Sequence, residues 1–489
     1  MRTRGRLRGW FVCSLAFFVS GATFAQERAT PQLATVSAVM LSDLHFDPFH
    51  DPAKVSQLVK APVEEWAEIL KSPDSATQET DFAWIQESCE GKQQVDAPYV
   101  MLRSSLHAAK VQVPDAQFVT VSGDLLVHDL DCRYRAAMKL GKPKGDDQSV
   151  SAAFAKKTTV FVMNQVESVF AGIPVYMALG NNDSRCNHNR LGLHDGYLKA
   201  TGQAVINGLV GVSAAERRLA LNTYQSAGYY GVTMSAPIRR TRLLVLDDIY
   251  FMSKFENCEA DETDRKGEQE QIAWLTKELD GARRRGEMVW VLGHVPPAVN
   301  PQSSLAKGDL CAGGKVDTFL SSDDLTSALI NHADVVRLAL FGHTHMDELH
   351  LLLGSKGAGV PVKVVASVSA VSGNRPSFTV GRLAPASATL VDYTVYEASN
   401  TTGVGTPWAK EYGFDETYHE TSFSANSLYD LIGRLHADTP GSGAESRAYQ
   451  LHYFKGASTP ELEPRWSGYV CSLDHPTAEG FRACVCGSK

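Results

Sequence analysis

The chain has 489 residues, 44% apolar and 21% charged, with a formal net charge of −8. That composition excludes a disordered chain and supplies a large core, enough for one main domain and a smaller appendage. The acidic balance excludes a nonspecific binder of duplex nucleic acid, so a polyanionic ligand would have to be drawn by bound cations.

Arg2, Arg4, Arg6 and Arg8 precede the apolar stretch Trp10–Val19, and Ala22-Thr23-Phe24-Ala25 offers a small-residue cleavage site. Residues 1–25 therefore read as a signal peptide, too short for the ~20 apolar residues of a membrane span. No later segment has that length, so no transmembrane segment is expected. Removing the leader takes four arginines and leaves 43 basic against 55 acidic residues. Export implies a secreted, periplasmic or extracellular protein. Eight cysteines remain after Cys13, an even count that implies disulfides. Connectivity stays open, except that Cys484 and Cys486 are too close to pair with each other without strain. No Cys-x-x-Cys pair exists, which argues against a zinc ribbon.

Residues 37–45 (SAVMLSDLH) read as a strand ending at Asp43 and His45. A short helix follows over 62–72, then an irregular polar insertion over 73–98 that carries Cys89, then a helix over 100–111. The segment 118–126 (FVTVSGDLL) is a strand ending at Gly123-Asp124. An exposed loop over 139–148 and a long helix over 151–170 lead to 174–183 (PVYMALGNND), a strand ending at Asn181. A helix over 213–227 precedes a strand pair that includes Thr241–Leu246. In Glu268–Arg285, Ile272, Leu275, Leu279 and Ala282 recur at spacings of three and four, the pattern of a helix lying on a sheet. Two more apolar strands run into His294 (MVWVLGHVPP) and into His343 and His345 (VVRLALFGHTH). Val362–Ser369 is a further strand, and 378–396 reads as paired strands closing a second sheet. From about 397 the chain turns aromatic, polar and helical, ending in the Cys471–Cys486 cluster. The domain reading is a catalytic domain over 36–396 and a helical, disulfide-bearing subdomain over 397–489.

Five apolar strands thus deliver Asp, Asn or His where strand gives way to loop, the place where open α/β sheets carry ligand groups. Asp43, His45, Asp124, Asn181, His294, His343 and His345 are too many ligands for one ion and suit two sharing a carboxylate. Asp124 is the natural bridge. Mixed imidazole and carboxylate ligation suits zinc, and also iron or manganese, more than calcium. Two such ions ~3.5–4 Å apart hydrolyse phosphoesters by activating a bridging water and clamping the phosphoryl oxygens.

In this order the residues resemble the calcineurin-like metallophosphoesterases, whose blocks are DxH, GDxx, GNHD/E, a later GH, and GHxH. The third block departs from that pattern: Gly180-Asn181-Asn182-Asp183 places Asn182 where the family has a proton-donating histidine. The resemblance implies an α/β fold, a four-layer sandwich of two β-sheets flanked by helices. A narrower resemblance, over residues 36–489, is to the acid sphingomyelinase-like phosphodiesterases and their endopolyphosphatase relatives. It rests on DLHFDP at 43–48, GDLLVHD at 123–129, GHVPP at 293–297, NRPSF at 374–378 and the Cys-rich C-terminus. About ten residues separate the leader from the first strand, which leaves no room for a saposin domain and argues against membrane-embedded sphingomyelin.

By this resemblance one metal is held by Asp43, His45, Asp124 and His345, and the other by Asp124, Asn181, His294 and His343. His128 becomes the leaving-group acid, with Asn182 a second catalytic candidate. The resemblance also implies the disulfides Cys258–Cys311 and Cys471–Cys484. Asp183 is expected to orient a neighbour or cap a helix, and His332 and His350 to be structural. The function read from these residues is that of a monomeric, exported phosphodiesterase using metal-bound hydroxide on a small phosphoester or lipid headgroup. The alternatives are a phosphomonoesterase or endopolyphosphatase, or a metal-bearing binding protein whose catalysis has decayed.

Overall fold

A computed structural model describes Met1, Gly9 and residues 34–489, apart from 90–94, 142–148, 187, 236–237, 239, 259–264, 355–356, 455–461 and 488–489. The expected leader and most of the 139–148 loop lie outside the described residues. Among the described residues, fourteen strands form in chain order. They are β1 (Val36–Leu41), β2 (Val119–Ser122), β3 (Val175–Ala178), β4 (Arg190–Leu191), β5 (Tyr230–Thr233), β6 (Thr241–Val245) and β7 (Glu256–Asn257). Then follow β8 (Met288–Leu292), β9 (Val336–Phe341), β10 (Glu348–Leu353), β11 (Gly359–Val364), β12 (Ser377–Ala384), β13 (Thr389–Ala398) and β14 (Trp408–Gly413).

Two six-stranded sheets result, ordered β14-β13-β12-β1-β2-β3 and β10-β11-β9-β8-β6-β5. Within them β1, β2 and β3 are mutually parallel, as are β6, β8, β9 and β11. Parallel strands buried on both faces read as unbroken apolar runs, which is why these segments show no alternation. Sheet meets sheet through Phe118 and Trp290, rings 5.7 Å apart, and the Trp290 indole N–H donates to the Ala388 carbonyl at 2.7 Å. Helices cover the outer faces. Tyr99–Gln112 packs on β12 and Gly196–Gly208 on β3; Lys266–Arg285 packs on β6 and β8, and Ala425–Ala437 on β10 and β11. The four-layer α/β sandwich is therefore the fold.

Register decides where the site lies. Leu41 pairs with Val121 and Leu292 with Leu340, so Asp43, Asp124, His294 and His343 all emerge two or three residues beyond paired positions. Cross-links between the loops fix that edge: Asp43 N–H donates to the Gly123 carbonyl, Gly342 N–H to that of His294 and Ser369 N–H to that of Asp43.

Several expectations change. Gln78–Ser88 is a helix inside the stretch expected to be irregular; it buries only Ile85, so no apolar stripe announces it. The strand expected over Val362–Ser369 ends at Val364, and the rest runs as extended loop whose amides pair with the ligand-bearing loops. The 378–396 pair extends the sheet of β1 and continues past residue 397 into β14. Among the described residues no helix is long and apolar enough to cross a membrane.

All eight expected cysteines pair, as Cys89–Cys132, Cys186–Cys258, Cys311–Cys486 and Cys471–Cys484. The Cys258–Cys311 pairing is thereby corrected. Parallel pairing of β4 with β7 sets Cys258 beside Cys186, while Arg482 binds the Leu310 and Gly314 carbonyls and docks the last helix onto the turn that carries Cys311.

Candidate metal centre

The seven candidate ligands, from five separate strand ends, converge at one place. Asp43, His45, Asp124 and His345 are all buried, with ligand atoms within 4.8 Å of one another. Beside them the Asn181 Oδ1 lies 2.9 Å from His294 Nε2 and 2.7 Å from His343 Nδ1. Asp124 stands between the two groups, its Oδ2 3.3 Å from His45 Nε2 and 3.4 Å from His294 Nε2.

Backbone strain marks the same residues. Asp43, His45, Asp124, His343 and His345 all have φ between 37° and 72°, a region L-residues rarely enter. Such strain persists only where surroundings over-determine it, and here it turns five side chains inward at strand ends. Close glycines make room: a Cβ on Gly180 would meet Asp124 Oδ1 at 2.1 Å, and one on Gly342 would meet Ser42 Oγ at 2.0 Å.

The donor chemistry tests whether cations fit. His45 Nδ1–H donates to the Leu126 carbonyl at 2.8 Å, and His294 Nδ1–H to that of Ser122 at 2.7 Å. Each ring therefore turns Nε2 inward. His45 Nε2 faces His345 Nε2 at 3.1 Å as well as Asp124, and burial lowers the His45 pKa to about 4, so the ring is neutral. Bare nitrogen lone pairs crowded against carboxylates and a carbonyl repel one another unless a cation lies among them. Burial pushes Asp43 up to about 7, with His294 opposing the rise and the Asp124 carboxylate adding to it. His294 differs. Burial lowers its pKa, but Asp124 outweighs that and raises it to about 10, and the field that draws a proton to Nε2 would equally draw a metal. The residues fit two divalent cations sharing Asp124.

Asn182 is buried. Its amide NH2 donates to Asp124 Oδ2 and its backbone N–H to Asp124 Oδ1, both at 2.8 Å, so it holds the central carboxylate. Asp183 orients a neighbour: it accepts the backbone N–H groups of Gly180, Leu125 and Leu126 and so ties two ligand loops together. His188 Nδ1 lies 3.0 Å from the Asn181 amide nitrogen, which turns Oδ1 toward His294 and His343. His332 and His350 are buried and bonded to the Ala328 and Ser472 carbonyls respectively.

His128 stacks on His45 with ring centroids 4.0 Å apart and stays partly exposed. Its Nδ1 lies 3.1 Å from both oxygens of buried Asp96, which also accepts the His128 backbone N–H at 3.0 Å. Burial would lower the His128 pKa, but Asp96 raises it to about 9, so the ring carries a proton at neutral pH. Asp96 escaped the sequence reading because no apolar, strand-like run precedes it in the sequence. Asp248 could have been found. It follows β6 as the ligands follow their strands, and its Oδ2 accepts the N–H groups of His294 and Val295 at 2.8 and 3.0 Å.

Residues 39–347, more than half of the chain, match the family model of the calcineurin-like phosphoesterases. A human acid sphingomyelinase-like phosphodiesterase 3b is 24% identical, covering 92% of this chain and 90% of its own. A Dictyostelium discoideum sphingomyelinase phosphodiesterase C is 21% identical over 81% of this chain and 83% of its own. Among solved structures, a dimetal phosphatase from Danio rerio superposes with a TM-score of 0.40 at 12% identity, covering 77% of this chain and 98% of its own.

Proposed function

Because the chain belongs to the calcineurin-like phosphoesterase family and is a metal-dependent phosphoester hydrolase, we propose that it is an exported phosphodiesterase with a dinuclear centre. Asp43, His45, Asp124 and His345 would hold one cation, and Asp124, Asn181, His294 and His343 the other. Zinc is the metal best suited to this imidazole-rich set, with iron and manganese the alternatives. Bound there, the cations supply Lewis acidity, lowering the pKa of a water and drawing charge from the phosphoryl oxygens.

The protein's own groups do the rest. Asn182 and Asp183 keep the Asp124 carboxylate and its loop in place. Asp96 holds His128 Nδ1, leaving Nε2 as the nitrogen that passes a proton to the departing alkoxide. A diester needs that proton because an alkoxide is a poor leaving group. The observation that carries this reading is the pocket of inward-turned acceptor atoms around Asp124. Eight cysteines paired as four disulfides support an oxidising compartment.

Turnover of bis-p-nitrophenyl phosphate, p-nitrophenyl phosphate, polyphosphate and a choline phosphodiester, measured side by side, tests it. Diester hydrolysis should dominate. Dominant monoester or polyphosphate hydrolysis would move the protein to the phosphatase reading, and no turnover at all would contradict both.

A further inference from the structure

The proposed ligands His343 and His345 lie on residues 342–347, between the end of β9 at Phe341 and the start of β10 at Glu348. Both histidines have positive φ, 72° and 65°. A loop strained in this way keeps its shape only where its surroundings fix it at both ends. At the first end Gly342, directly after β9, donates its N–H to the His294 carbonyl at 2.8 Å. The second end is Asp347, and there a buried charge does the fastening.

The strand β11 is an apolar run, buried from Val360 onward, that Lys363 interrupts. In register Lys363 stands between Leu340 of β9 and Leu349 of β10, and its side chain is fully buried. Lysine is almost never buried without partners. Here the ammonium donates to the Asp347 carboxylate, to the Val364 carbonyl at 2.7 Å and to the Glu348 carbonyl at 3.4 Å, which uses all three protons. The Tyr393 ring lies over it, with the centroid 4.9 Å away. Asp347 is buried too, and its backbone N–H donates at 3.1 Å to the carbonyl of Tyr453, the last residue of the helix Ala444–Tyr453.

A buried ion pair contributes little net stability, because desolvating both charges offsets most of their attraction. What this one imposes is geometry, at a point two residues from His345. We propose that Lys363 is a positioning residue for the metal centre, acting through Asp347 to hold His345 in place beside Asp43. The inference rests on the dinuclear reading above. It also makes the C-terminal helices part of the centre's support, since the Tyr453 carbonyl fastens the same residue.

The Zn2+ affinity of the full-length protein, measured by competition with a chromophoric chelator, is compared between wild type and Asp347→Asn/Lys363→Met. The double variant removes both charges at nearly constant shape, so its melting temperature should stay near that of wild type. Its first cation should nevertheless leave at about 10–100-fold lower chelator concentration, the loss typical when a group behind a ligand is altered. At saturating Co2+ its visible absorption should also differ from wild type, because His345 no longer meets the ion in the same geometry. Asp347→Glu keeps both charges but shifts the loop end by one methylene. It should change affinity and spectrum in the same direction, and it decides the matter if the double variant fails to fold. Wild-type affinity with a wild-type Co2+ spectrum in a folded variant would overturn the proposal. A wild-type protein that binds no Zn2+ would instead defeat the dinuclear reading itself.

Discussion

Asp124 is the residue on which the centre turns, and its neighbours divide the labour around it. Asn182 and Asp183 touch no substrate in this account, so their loss should weaken metal binding by about 10–100-fold, as outer-shell changes do. Asn182→Ala is expected to raise the metal concentration for half-maximal activity, while saturating metal restores most turnover. A turnover defect that excess metal leaves untouched would instead place Asn182 against substrate. His128 has the opposite signature. His128→Ala should slow hydrolysis of a diester with a poor alkoxide leaving group by ~10²–10⁴-fold, with a much smaller loss on p-nitrophenyl esters. Asp96→Asn should act in the same direction and move the alkaline limb of the pH–rate profile below the value near 9 set by Asp96. Equal losses on both leaving groups would remove His128 from the donor role.

At the scale of elements, strand ends and close glycines determine the geometry. A methyl on Gly342 would collide with Ser42 Oγ and Asp43 Oδ2, so Gly342→Ala should destabilise by about 1–3 kcal/mol and disturb the cation held at Asp43. The helix Ser149–Val169 offers an independent test through Glu167, whose pKa burial raises to about 7. The folded state therefore retains this proton where the unfolded chain has lost it, between the ordinary glutamate value of 4.5 and about 7. Stability from this group falls as pH rises through that window. Glu167→Gln should raise the melting temperature at pH 8 and change it little at pH 4; an equal shift at both values would refute the linkage. The same scale shows what the sequence made legible. Apolar runs ending in Asp, Asn or His were visible because buried parallel strands leave no other signature. The Gln78–Ser88 helix, with one buried side chain, left none. Asp96 was equally silent, because its role depends on a loop meeting His128 across 32 residues.

Across the whole molecule, two sheets bring their parallel strand ends to one edge, and disulfides fasten the peripheral segments. Pairing of Cys258 with Cys186 rather than Cys311 shows the limit of reasoning by resemblance. Local β4–β7 pairing chose the partner, and nothing in cysteine spacing encodes that contact. If the cations are part of the fold's stability, a chelator should lower the melting temperature and reloading should restore it, since a ligand bound only to the native state stabilises by mass action. The most direct measurement is anomalous diffraction at the metal edge from crystals of the loaded full-length protein. Two peaks ~3.5–4 Å apart, one on each side of the Asp124 carboxylate, are expected. A single peak, or peaks remote from Asp124, would contradict the account.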